Sequence, residues 1–240
     1  MNNKNNTISI ESPGVRTKTY NEEFIIKLIF SFTFAILMAV SANSFVYLPF
    51  TPVPITMQTL TVLLSSILLG GRWAALGQLE YMLMGVAGLP VFAGGRSGLL
   101  AIAGPTGGYI IGFVFASFAA GYIYENPGVV ENFSKYFFKN LFNLQYHRSN
   151  KNYNSNYICQ YYINKENTSI CFISCITGII VIYFFGYVHL LGYLYSFLKT
   201  QNLISLLVKT WNLGIQPFII VDLLKILIIL NIEKLHKIKK

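Results

Sequence analysis

Between Phe24 and Leu48 the chain runs for twenty-five residues with a single charge, Lys27. At 1.5 Å per residue a helix of about 20 apolar residues crosses a bilayer, so this run predicts a first membrane span. The rest of the sequence fits that environment. Charged residues make up 11% and hydrophobic ones 54%, against roughly a quarter charged in an ordinary soluble domain. A chain so poor in charge cannot cover itself with polar surface in water, which predicts an integral membrane protein. The net charge of +9 invites a nucleic-acid reading. The basic residues, however, are scattered between apolar runs and form no stripe.

The most irregular stretch lies from Gly85 to Gly112, GVAGLPVFAGGRSGLLAIAGPTGGYIIG, which holds nine of the nineteen glycines. Glycine permits positive φ and close approach of backbone, and Pro90 and Pro105 stop helices. Lipid satisfies no free amide or carbonyl, so a loop of this kind must be buried in protein or line a cavity. It is expected to wall a ligand pocket. A second loop, Pro49 to Thr59, carries three prolines and no charge. Its composition suits an extended segment folded over an apolar cavity.

The remaining elements follow in order. Residues 1–23 read as a disordered cytoplasmic tail. Spans two and three are expected over Ile55–Gly70 and Trp73–Leu89, joined by Gly70-Gly71-Arg72. Both are short, as glycine- and proline-interrupted segments at transporter sites are. A fourth span covers Thr106–Tyr124. Residues 125–169 read as a long cytoplasmic insertion, with an amphipathic interfacial helix over Phe133–Leu144 and disorder elsewhere. A fifth span covers Ile170–Leu194, reaching to Leu198. A short helix on the outer surface is expected within 199–213, a sixth span from Gly214 to Ile232, and a basic cytoplasmic tail to Lys240. The membrane domain is thus 24–232, all-α, with six spans. With both termini cytoplasmic, the inner segments hold fourteen basic residues. Only Arg96, Lys199 and Lys209 lie outside, and Lys225 lies within a span. This positive-inside bias brings the proline loop, the glycine-rich stretch and the start of span six to one outer side.

Charges inside spans are functional candidates. Asp222 and Lys225, three apart in span six, share a helix face. With Arg96 they offer one acidic and two basic groups to an anionic ligand that also carries hydrogen-bond donors. Glu80 and His189 lie in spans three and five; His147 reads as solvated. Cys159, Cys171 and Cys175 give no disulfide framework or metal-ligand spacing and read as packing residues. Neither a dinucleotide fingerprint nor a phosphate loop is present.

Four motifs, in order, resemble the BioY family, the biotin-binding S components of energy-coupling factor (ECF) transporters. They are Pro52-Val53-Pro54-Ile55-Thr56-Met57-Gln58-Thr59, Gly88-Leu89-Pro90-Val91-Phe92-Ala93-Gly94-Gly95, Gly104-Pro105-Thr106-Gly107-Gly108-Tyr109, and Pro217-Phe218-x-x-x-Asp222-x-x-Lys225. The resemblance covers roughly residues 28–124 and 176–232. It implies a six-helix subunit that captures biotin on the outer side of a bacterial plasma membrane, or of a plastid membrane. It also implies docking through Ala35 and Ala39 onto a transmembrane coupling subunit with two ATPases. No cofactor is implied. Carried over by position, the biotin site comprises Asp222, Lys225, Arg96, Gln58, Thr56, Gly94, Gly95 and Tyr109. Asp222 and Gln58 would face the ureido ring, and Arg96 and Lys225 the valerate carboxylate. The sequence departs from the family in the length of 125–169, in Glu80, and in Ile220-Val221 where Pro-Gly is customary. The competing expectations are a membrane-embedded enzyme using Glu80, Asp222 and His189, and a structural subunit without a ligand.

Overall fold

The computed structural model describes residues 20–129, 155–198 and 202–238. The tail before residue 20, the helix expected over Phe133–Leu144, His147 and the last two residues lie outside the described residues. Helix α1 spans Tyr20–Asn43, followed by two short antiparallel strands, β1 (Phe45–Val46) and β2 (Ile55–Thr56), paired Phe45 to Thr56 and Val46 to Ile55. Then come α2 (Gln58–Leu69), α3 (Gly71–Val86), α4 (Leu99–Ala103), α5 (Gly107–Glu125), α6 (Ser155–Leu198), α7 (Leu203–Gly214) and α8 (Ile219–Ile238).

Among the described residues, helices stand at each of the six expected span positions. The helices long and apolar enough to cross a membrane include Glu22–Asn43, Gly107–Glu125 and Thr168–Phe197. The pair α7 and α8, bent by 40°, forms a fourth candidate. Helices α2 and α3, with 12 and 16 residues, extend about 18 and 24 Å at 1.5 Å per residue, short of a ~30 Å hydrocarbon core.

Several boundaries differ from the sequence reading; α1 starts at Tyr20, inside the expected tail, and α8 starts at Ile219, where the sixth span is expected from Gly214. Span one ends at Asn43, because Phe45 and Val46 pair with the proline loop. Span two starts at Gln58, since Ile55 and Thr56 are the other half of that pairing. The helix carrying span five begins at Ser155, inside the segment read as a disordered loop. The short helix expected within 199–213 stands as α7, with Leu203, Ile204, Val208 and Trp211 exposed. It packs against α6, where Tyr187 Oη donates to Leu207 O at 3.2 Å, and continues into α8 through the turn at 215–218.

Helix α5 is the centre of the bundle and packs against α2, α3 and α6. Its crossing with α3 needs glycine on both sides. A Cβ on Gly71 would sit 2.8 Å from Phe118 O, and Gly121 lies against the Gly71 backbone. The Glu125 carboxylate then accepts the Gly71 amide at 3.2 Å, placing an anion at the positive N-terminus of α3. One half of the core is formed by Val53, Tyr81, Phe92, Tyr109, Ile110, Phe113, Ile182 and Phe218. In the other half Cys171 and Cys175 pack with Leu63, Ala120, Ile226 and Ile229. Ala35 is fully buried in the chain's own core and Ala39 packs against that core. Ala35 therefore presents no open face to a partner, contrary to the docking role the resemblance implies. Its small side chain serves packing within the bundle.

Candidate functional site

The proline loop, the glycine-rich stretch and the starts of α5 and α8 converge on one cavity, as the topology count predicts. It is lined by Val53, Pro54, Thr56, Gln58 and Thr59 from the loop and α2, by Tyr81 from α3, and by Ala93 from the glycine-rich stretch. Thr106, Tyr109, Ile110 and Phe113 come from α5, Ile182 and Tyr183 from α6, and Phe218, Asp222 and Lys225 from the start of α8. The wall is mostly aromatic and aliphatic with a few placed polar groups, the usual make-up of a small-molecule site.

Those polar groups form one network. Lys225 and Asp222 are both nearly inaccessible, with side chains 5% and 4% exposed, and Nζ stands 2.7 Å from Oδ1. Lys225 Nζ also donates to Thr56 O at 2.7 Å and Thr59 Oγ1 at 2.6 Å. An ammonium has three donors, so Lys225 is fully engaged within the protein. Thr59 passes its own proton to Asp222 Oδ1 at 2.9 Å, and Tyr183 Oη donates to Oδ2 at 2.6 Å. Asp222 sits in the first turn of α8, where the helix dipole favours a negative charge. Among the groups in this network, the Oδ2 side of the carboxylate keeps acceptor capacity. Gln58 Nε2 donates to Tyr81 Oη at 2.9 Å, and Tyr81 donates onward to Val91 O at 3.2 Å. One amide proton of Gln58 is left for another partner.

The structure thus brings together Asp222, Lys225, Gln58, Thr56 and Tyr109 from the expected set. Tyr109 contributes its ring, since its hydroxyl donates to Gly214 O at 2.7 Å and ties α5 to the end of α7. Arg96, Gly94 and Gly95 do not line the cavity. Arg96 Nε donates to Ala93 O at 3.0 Å, and the two glycines form an exposed turn closed by the Phe92–Arg96 bridge. Their φ values of 75° and 69° are the left-handed conformation that glycine adopts without strain. The turn therefore needs glycine for its shape, and it aims the arginine back at its own backbone. Glu80 and His189 are also absent from the lining: Glu80 accepts from Ser31 Oγ at 3.1 Å, and His189 packs against Gly108. The three acid–base candidates of the enzyme reading are not assembled around one cavity.

Sequence reasoning missed Tyr183, Tyr81, Thr59 and Phe218. The available signal was chemical: a tyrosine or threonine in an apolar helix has a hydroxyl that requires a partner.

The model of the BioY family matches residues 15–239. The chain belongs to the BioY family. Relatives include the biotin transporter BioY of Rhizobium etli, 42% identical over 91 residues, covering 38% of this chain and 49% of that protein. The putative biotin transporter BioYB of Bacillus subtilis is 45% identical over 95 residues, covering 38% and 48%. The biotin transporter BioY of Thermotoga maritima is 38% identical over 94 residues, covering 39% and 54%. The matched segments thus span about half the length of these curated relatives. Among solved structures, the S-component for biotin from an ECF-type ABC transporter superposes with a TM-score of 0.58. That match covers 89% of this chain and 94% of that one at 22% identity. At this identity the likeness establishes a shared fold.

Proposed function

We propose that this BioY-family chain is the substrate-binding membrane subunit of a biotin uptake transporter. In this reading it crosses a bacterial or plastid membrane six times with both termini cytoplasmic. It takes biotin from the outer side and delivers it inward with an ATPase-driven coupling module. The observation that carries the reading is the buried Asp222–Lys225 pair at the head of a mostly apolar cavity. The names of the relatives and of the superposed structure support the same ligand.

In this reading Asp222 and Gln58 keep the role expected from position, while Lys225 serves Asp222 and Arg96 drops out. Asp222 and Gln58 face the ureido ring, whose N–H groups and carbonyl complement a carboxylate and an amide. Lys225 holds Asp222 in place at 2.7 Å, and Thr59 and Tyr183 fix the carboxylate plane. Phe113, Ile182 and Phe218 contact the apolar body of the ligand. The cavity encloses ≈ 50 Å³, room for about three to five waters.

The test is binding of radiolabelled biotin to the purified full-length chain, with Asp222→Asn and Lys225→Ala alongside. Saturable binding by the unmodified chain is expected. A hydrogen bond to a charged group contributes about 1.5–3 kcal/mol, so Asp222→Asn should weaken binding roughly tenfold to a hundredfold. No binding by the unmodified chain sinks the biotin reading. Undiminished binding in both variants sinks only the site assignment.

A further inference from the structure

Between Glu80 and Glu125 the chain carries one charge, Arg96. The short helix α4 in this stretch is apolar throughout, Leu-Leu-Ala-Ile-Ala. Its Ala101 is buried, whereas Leu99 is 69% exposed. Leu100, at 87%, is the most exposed large apolar side chain among the described residues. What surrounds these two leucines follows from their depth.

That depth is set by two neighbouring helices. The nineteen residues of α5 extend about 28 Å at 1.5 Å per residue, just under a ~30 Å hydrocarbon core. With the charged Glu125 at one edge of that core, Gly107 stands at the other. Helix α3 starts beside Glu125, which accepts the Gly71 amide, and its sixteen residues extend about 24 Å. Its last turn therefore lies at or inside the far edge. Helix α4 is tied to that turn: the amide of its N-cap, Gly98, donates to Gly85 O at 2.7 Å. At its other end the Ile102 carbonyl lies against Gly107. Leu99 and Leu100 thus stand level with the ends of membrane helices and do not rise above them.

A segment in hydrocarbon must pair its own backbone groups, and this one does. Ala101 N donates to Gly98 O at 3.2 Å, Gly104 N to Leu100 O at 3.1 Å, and Gly107 N to Gly104 O at 3.1 Å. Arg96, three residues before Leu99, adds charge complementarity. Its Nε is spent on Ala93 O, while its terminal nitrogens have no hydrogen bond or ion pair among the described residues. A guanidinium at the edge of the core complements lipid phosphates.

We propose that α4 seats Leu99 and Leu100 among the acyl chains of the leaflet on the loop side, with Arg96 at the phosphates, so that phospholipid holds one wall of the cavity. The same segment forms that wall. Ala93 lines the cavity, and Val91 O accepts from Tyr81, another lining residue. The inference rests on the proposed function in naming biotin as the ligand whose binding reports on the wall.

The experiment introduces Leu100→Trp into the full chain after Trp73→Phe and Trp211→Phe have removed its two native tryptophans. The protein is placed in nanodiscs of phosphatidylcholine and phosphatidylglycerol. Fluorescence should be quenched by lipids brominated on their acyl chains and protected from aqueous iodide. Quenching by iodide without quenching by bromine overturns the proposal. Biotin binding is titrated in the same nanodiscs for two double variants in the native-tryptophan chain. Leu99→Ser with Leu100→Ser weakens the bias toward the seated helix at least about tenfold, so biotin affinity should fall roughly threefold to tenfold. Leu99→Phe with Leu100→Phe keeps both side chains apolar and should bind as the unmodified chain does. Unchanged affinity in the serine variant, or equal loss in the serine and phenylalanine variants, overturns the claim that lipid holds the wall. Failure of the unmodified chain to bind biotin strikes the functional reading, and the quenching result decides the seating of α4 independently of it.

Discussion

Removing the Lys225 ammonium while keeping its stem, as in Lys225→Met, isolates the physics of the site. The substitution deletes three hydrogen bonds of 2.6–2.7 Å, to Thr56 O, Thr59 Oγ1 and Asp222 Oδ1. Asp222 stays 3% exposed with only Thr59 and Tyr183 as donors. Breaking a buried ion pair by removing one partner costs about 3–5 kcal/mol, because the remaining charge has lost its compensation. For a chain of this size each kcal/mol moves Tm by roughly 2–4 °C, so the single variant should melt about 6–20 °C below the unmodified chain. The double variant Asp222→Asn with Lys225→Met removes both charges and should recover at least half of that loss. Thermal unfolding in lipid nanodiscs, followed by intrinsic fluorescence, measures all three. Equal melting of the single and double variants would show that the cost is lost packing and that the charge on Asp222 does not matter. A single variant melting within 2 °C of the unmodified chain would refute the inference that Lys225 is committed inside the protein.

Two further outcomes test the corrections to the sequence reading. Arg96→Ala should leave biotin binding within about threefold, because the arginine bonds Ala93 O outside the cavity; a loss of a hundredfold would return Arg96 to the ligand. Ala35→Leu should lower the thermal stability of the isolated chain, since overpacking a filled core costs about 1–3 kcal/mol and Ala35 has no exposed surface. Loss of partner association at unchanged Tm would instead support the docking role of Ala35.

The amino-acid sequence by itself determined the membrane class of this protein, its helical positions and the clustering of its loops on one side. Each follows from one-dimensional quantities: apolar run length, the places where proline and glycine forbid helix, and the distribution of basic residues. It also determined that Asp222 and Lys225 share a face, because three residues along a helix is a local distance. The tertiary structure alone decided where those side chains spend their hydrogen bonds. Thr56, Thr59 and Tyr183 reach the pair across 169, 163 and 39 residues of chain, and no local pattern encodes such meetings. For the same reason the sequence could not show that Arg96 folds back on its own loop, or that Ala35 faces inward. A basic residue and a small residue look alike on either side of a turn or helix, and only the packing of neighbouring elements determines which side is open.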